Sequence, residues 1–315
     1  MGNELVPASN LSLEAAAGAA CEFAQNSNAA NTRRAYAADW RHFRTWCASV
    51  GQIVLPATPA VVAAYLGAMA GAGAKVKTIE RRCTAIRHFH VAARHDNPAA
   101  HPGVRATLDG IRRTLGSAPK KKAALTSELI AKAVKRIPSD LAGLRDRALI
   151  LIGFAAALRR SELVDLKVND VARHAKGIVL TLRRSKTDQV GAGTIKAVPY
   201  GHKLKAVAAL DAWLAAARIS EGPIFRGVRG VRVLPGQLCD HQVARIVKKR
   251  AAQIGIDPSS VAGHSLRSGF ITSASDAGAE LAAIAKHAGH AKLDTTLGYV
   301  QVGDAFRNHS GKKFL

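Results

Sequence analysis

The chain is short of acids. Its 315 residues carry 46 Lys and Arg but only 22 Asp and Glu, a formal net charge of +24. Such an excess repels itself in a compact state, so a polyanionic partner is expected. No carboxylate cluster shows metal-ligand spacing, which argues against a two-metal nuclease. There is no Walker A loop and no GxGxxG, so no nucleotide cofactor is expected, nor any metal. Cysteine is scarce. Cys21, Cys47, Cys83 and Cys239 show neither CxxC nor Cys/His zinc spacing and read as reduced, mostly packed thiols of a cytoplasmic protein. Long apolar runs are missing as well. The run Ala148 to Leu158, between Arg147 and Arg159, is far below the roughly 20 residues that span a bilayer, and it reads as a buried helix. The opening MGNELVPASN has no basic region leading an apolar core, so no secretory signal is expected.

Hydrophobic residues make up 48% of the chain, enough for globular folding, and the length suggests two domains. Residues 1–11 read as a flexible leader, followed by an Ala-rich amphipathic segment from Ser12 to Gln25. NTRRAYAADWRHFRTWCASVG reads as a helix with Tyr36, Trp40, Phe43 and Trp46 at three- and four-residue steps. Its other face carries Arg33, Arg34, Arg41 and Arg44. Thr58-Pro59 starts a further helix in N-cap and N1 positions. A helix from Val76 to Arg94 then sets Ile79, Ile86 and Phe89 against Lys77, Arg81, Arg82 and Arg87, with Lys75 just before it. Another helix spans Pro102 to Leu115. Residues 12–115 thus read as an all-helical bundle with two basic faces suited to lying along DNA. The basic residues are spread through the chain rather than gathered in one amphipathic helix, which favours nucleic acid over a membrane. Residues 116–125, with Lys120, Lys121 and Lys122, read as a linker whose lysines follow a DNA backbone.

From residue 126 a second domain is expected. Helices at 127–136 and 141–157 lead to LRRSEL, which places Arg159 on a turn after the buried helix and Glu162 three residues on, in reach of an ion pair. The period then changes. Gly177–Arg183 and Thr194–Pro199 read as a hairpin with Lys186 near its tip. Helices follow at 201–217 and 239–254, separated by a basic glycine-rich loop at 226–236. In GHSLRSG, His264 and Arg267 share one helix face, and Arg267 offers a planar fork for phosphate oxygens. A short helix (281–287), the Gly289-His290 turn and a last helix bearing Tyr299 close the domain. Taken alone, HxxR is an ordinary capping pair, and a tyrosine is a weak nucleophile unless donors and bases activate it.

Arg159, Lys186, His264, Arg267, His290 and Tyr299, in this order and spacing, resemble the catalytic set of the tyrosine recombinase (phage integrase) family. LRRSEL, SKT, GHSLRSG and GHAKLDTTLGY match its boxes across nearly the whole chain, and RRSKTDQVGAGTIKA and AKVKTIERR are similar to the Cre-like members. Ala157 departs from the glycine many members carry before Leu-Arg. The resemblance implies a mainly α fold with a small β-hairpin. An N-terminal core-binding (SAM-like) bundle and a catalytic domain at 126–315 would form a C-shaped clamp on a double-stranded DNA recombination site. It implies that Tyr299 attacks a phosphodiester to give a 3′-phosphotyrosine. Arg159, Arg267 and His290 would hold the phosphate, Lys186 would protonate the leaving 5′-oxygen, and Glu162 would orient Arg159 and His264. His264 could serve as base or as phosphate ligand. His241 joins the expected DNA contacts. The implied assembly is a monomer in solution and a homotetramer on two DNA sites, with strand exchange through a Holliday junction, encoded by a bacterium, phage or plasmid. A type IB topoisomerase and a catalytically silent DNA-binding relative are the alternatives.

Overall fold

The computed structural model describes residues 12, 15, 16, 18, 29–116, 122–183, 193–290 and 292–299. The leader, most of the 12–25 segment, Lys120, Lys121, Lys186 and everything after Tyr299 lie outside them. Two compact units divide between Lys120 and Lys121.

In the first unit, α1 (Ala30–Ser49), α2 (Pro59–Gly71), α3 (Val76–Ala92) and α4 (Pro102–Leu115) pack around one core. The recurrence of apolar residues dictates the packing. Phe43 and Cys47 on α1, Val62, Tyr65 and Leu66 on α2, and Ile79, Cys83 and Ile86 on α3 are all buried. Thr58 caps α2 by accepting from the Val61 N–H at 3.3 Å, with Pro59 at N1. His90 fills an apolar position by satisfying both ring nitrogens: Nδ1 donates to the Ile86 carbonyl, and Nε2 accepts from the Ala57 N–H.

In the second unit, α5 (Ser127–Lys135) and the central α6 (Leu141–Ala155) lead to the short α7 (Arg160–Asp165). A three-stranded antiparallel sheet follows in the order β1 (Val171–His174), β2 (Gly177–Leu182), β3 (Thr194–Pro199). Then come α8 (Ala206–Ala217), a two-stranded hairpin of β4 (Arg226–Arg229) and β5 (Arg232–Gln237), α9 (Asp240–Ala252), α10 (Ser265–Asp276), α11 (Leu281–Ala288) and α12 (Leu293–Leu297). Leu149 to Ile152 on α6 pack with Val207, Leu210 and Trp213 of α8 and with Ile178 and Leu180 of β2 in one core.

Four expectations change. The 226–236 stretch is a hairpin, not a loop, because Gly230 at φ 60 turns β4 back on β5. β1 adds a strand over a stretch whose alternation is too short to read. Tyr299 lies in the turn after α12 rather than on it. Residues 122–125, expected to end a linker, are strapped to the second unit: Ala123 N–H donates to the Ser260 carbonyl and Leu125 N–H to that of Ser265. Gly269 exists for this strap. A methyl placed there would lie 1.8 Å from the Leu125 carbonyl oxygen, so only hydrogen permits α10 to come so close.

Candidate active site

The site is built on the junction between α6 and α7. Leaving α6, Ala157 adopts φ +49, a left-handed conformation better suited to glycine, and turns the chain so that Arg159 begins α7. The buried Glu162 does two jobs there. Its Oε2 accepts from the Arg159 backbone N–H at 2.8 Å and its Oε1 from Arg159 Nη1 at 2.6 Å. The side chain that caps the helix therefore also aims the guanidinium, which donates from Nη2 to the Gly289 carbonyl at 3.2 Å.

Arg267 rises from the first turn of α10 and is 1% exposed. Its Nη1 donates to the Ala157 carbonyl at 2.9 Å, while its Nε has no acceptor among the described residues. Burial, then Arg159, pushes its pKa down to about 10. A guanidinium in this condition is stabilised by an anion. His264 sits at the N-cap of α10 and is exposed. Partial burial, then Arg267, Arg159 and Arg160, holds its pKa below the ordinary imidazole value.

Helix α11 brings the remaining groups. It ends at Gly289, whose φ of +69 makes the left-handed C-cap that releases His290. Burial first, then the cations Arg267 and Arg159, lowers the pKa of His290 to about 4, so the ring is neutral at pH 7. His290 Nδ1 lies 2.9 Å from the hydroxyl of the buried Thr296, and its ring stacks on Tyr299 with centroids 5.8 Å apart and planes at 15°. Arg159, His264, Arg267, His290 and Tyr299 are thus gathered at one place, with Glu162 beneath them. Lys186 lies outside the described residues.

The sequence reading missed two groups. Lys196 of β3 is 4% exposed and donates to the carbonyl of His287. Burial, then Arg267, lowers its pKa to about 8. His287 places Nε2 3.0 Å from the Ala155 carbonyl and stacks on Phe270 at 4.5 Å, tying α11 to the end of α6.

The expected DNA contacts are distributed unevenly. Arg41, Arg44, Lys75 and Arg87 are exposed, as are Arg33 and Arg34, the latter bonded to Asn31. Arg81 is held bidentately by the buried Asp39 at 2.7 and 2.9 Å, and Arg82 lies 3.5 Å from the same carboxylate. Lys77 pairs with Glu80 at 3.0 Å. Lys77 is thus matched by an acid on its own helix, and Arg81 and Arg82 by one on a neighbouring helix, a pairing that counting one helix at a time does not reveal. Lys122 donates to the Ser259 carbonyl, and His241 is exposed beside Asp240.

Residues 124–305 match the phage integrase family, and residues 23–97 match the phage integrase N-terminal SAM-like domain. The chain is 39% identical over 294 residues to an integrase/recombinase XerD homologue of Selenomonas ruminantium, covering 91% of this chain and 86% of that protein. It is 30% identical over 288 residues to the tyrosine recombinase XerC of Mycobacterium bovis, covering 89% and 91%. In fold it is similar to the Tn1549 transposon integrase in complex with transposon right end DNA, with a TM-score of 0.64 at 17% identity over 93% of this chain and 98% of that one. It is also similar to a lambda integrase dimer bound to a core site, with a TM-score of 0.59 at 16% identity over 91% and 94%. From the Glu162-aimed arginine to the tyrosine stacked on His290, the chain belongs to the phage integrase family of tyrosine recombinases.

Proposed function

We propose that this chain is a site-specific DNA recombinase that cuts and rejoins strands through a 3′-phosphotyrosine at Tyr299. The observation that carries the reading is the pocket beside Tyr299. There Arg267, fully buried and with an Nε that has no acceptor among the described residues, stands beside Arg159, with Glu162 as the carboxylate facing them. A scissile phosphate supplies the negative charge this arrangement calls for. Phosphoryl transfer depends on such positioning and charge stabilisation.

Tyr299 Oη attacks phosphorus, the bond to the 5′-oxygen breaks, and the phosphotyrosine conserves the bond energy. Arg159 and Arg267 hold the nonbridging oxygens. His290 is neutral, and if Nδ1 accepts from the Thr296 hydroxyl, Nε2 carries the proton and donates to the phosphate. Burial and the neighbouring arginines hold the His264 pKa below the ordinary imidazole value, which favours the neutral ring and with it the base role over that of a cationic ligand. Lys186 protonates the departing 5′-oxygen. The 5′-hydroxyl of a second strand reverses the step. Two such rounds pass through a Holliday junction, and the working assembly is a homotetramer on two DNA sites in the cytoplasm. Residues 12–115 serve as the core-binding domain and the chain from 122 onward as the catalytic domain, joined through 116–121. Arg41, Arg44, Lys75 and Arg87 meet the DNA backbone.

The test is covalent capture. Wild-type protein is mixed with a pool of nicked duplexes of randomised sequence, and an adduct resistant to denaturant is expected. No adduct from any sequence contradicts the reading. Efficient relaxation of a supercoiled plasmid carrying no captured sequence would assign the chain to strand relaxation instead.

A further inference from the structure

Strand β3 is inside out at one place. Its register pairs Thr181 with Ile195 and Leu180 with Lys196. That leaves Ile195 73% exposed and Lys196 4% exposed, next to the inward-facing Val198 on the same face. A slip of one residue would bury the isoleucine and free the lysine, and by hydrophobicity alone it would be preferred. A local rule broken in this way marks a functional constraint more often than a packing one.

The buried ammonium has a definite target. It donates to the carbonyl of His287, in the last turn of α11, and its Nζ lies 3.6 Å from where a Cβ on Gly289 would sit. Arg159 Nη2 reaches the carbonyl of Gly289 itself. Two cations, one from β3 and one from the start of α7, thus fasten the carbonyls that precede His290, where the helix dipole favours positive charge. The charged and titratable groups around Lys196 are Arg267, Arg159, Glu162, His287 and His290. The strand that carries it also leaves the segment containing Lys186.

We infer that Lys196 is a positioning residue for phosphoryl transfer, fixing the His290 turn against the phosphate pocket. The inference rests on the recombinase reading. Lys196 acts through the His287 carbonyl and the turn that follows.

The experiment compares wild type, Lys196→Met and Lys196→Arg on duplexes that wild type captures from the randomised nicked pool. Methionine fills the volume without a buried charge, so thermal stability should hold or rise. DNA affinity by mobility shift should stay within about threefold. The single-turnover rate of adduct formation should fall about 100-fold, the size of effect a small misplacement produces. Lys196→Arg, which restores a cationic donor, should recover part of that rate. Separately, the His290 imidazole is followed by NMR titration in the free protein. Its pKa should move up in Lys196→Met, where a neighbouring cation is lost, and stay near the wild-type value in Lys196→Arg, which keeps one; an equal rise in both variants would report a loosened turn and count against the inference. An unchanged adduct rate, or a rate that falls only as far as the folded fraction falls, overturns the inference. If wild type captures no duplex, the recombinase reading fails on its own. The titration then decides whether Lys196 governs the turn, and an unmoved His290 refutes it.

Discussion

Glu162→Gln isolates the charge that organises the pocket. The carboxylate is 4% exposed and holds Arg159 through the backbone N–H at 2.8 Å and through Nη1 at 2.6 Å. Glutamine keeps one acceptor, so the helix-capping bond, worth about 1 kcal/mol, survives. What disappears is the negative charge facing a guanidinium that is 15% exposed. Leaving a buried charge uncompensated costs about 3–5 kcal/mol, and the retained cap places the expected loss near the lower end, about 3 kcal/mol. For a unit of this size that corresponds to a melting transition lower by about 6–12 °C. Circular dichroism during heating measures it. A second arm adds inorganic phosphate. With Glu162 neutralised, the cations of the pocket hold one more unmatched charge, so phosphate should raise the variant's Tm more than that of wild type. A loss below about 1 kcal/mol together with equal phosphate responses would refute the claim that Glu162 balances an anion pocket.

Gly269→Ala should abolish folding of the second unit, because the new methyl would lie 1.8 Å from the Leu125 carbonyl oxygen and backbone on both sides must move; soluble yield and Tm report it. DNA affinity should fall by about 10³ or more between 50 and 200 mM salt, as expected of a surface neutralising six or more phosphates, and a flat dependence would contradict backbone binding. Lys196 gives stability a pH signature. Its folded pKa of about 8 lies below the ordinary lysine value, so above pH 8 the unfolded chain holds a proton that the folded one has released. Stability contributed by this site should therefore rise with pH from about 8 towards about 10.5 and be absent from Lys196→Met; denaturant titrations across that window measure the difference.

Much of the site was legible because it depends on local order. LRRSEL and GHSLRSG carry their arginines on helix starts, and a helix start can be recognised from its cap and the apolar residues that follow. Helices α2 and α4 follow directly from Thr58-Pro59 and from Pro102. What stayed hidden depends on partners distant in sequence. Lys196 looks like an ordinary strand lysine until the register with Leu180 turns it inward. The Asp39 that engages Arg81 lies 42 residues away on another helix. The β4–β5 hairpin contains too many arginines and glycines to show alternation, and only pairing reveals it. Ala157 stands where many members of the family carry glycine. Its φ of +49 gives the physical reason: the turn that launches Arg159 needs a left-handed residue, and this chain meets that need with alanine.

The central claim is that Tyr299 forms the covalent bond to DNA beside His290 and the two arginines. Protease digestion and mass spectrometry of the captured adduct test it most directly. The peptide containing Tyr299 should carry a 3′-linked nucleotide, and Tyr299→Phe should bind the same duplex without any adduct. A nucleotide mapped to another residue, or an adduct formed by Tyr299→Phe, would contradict the account.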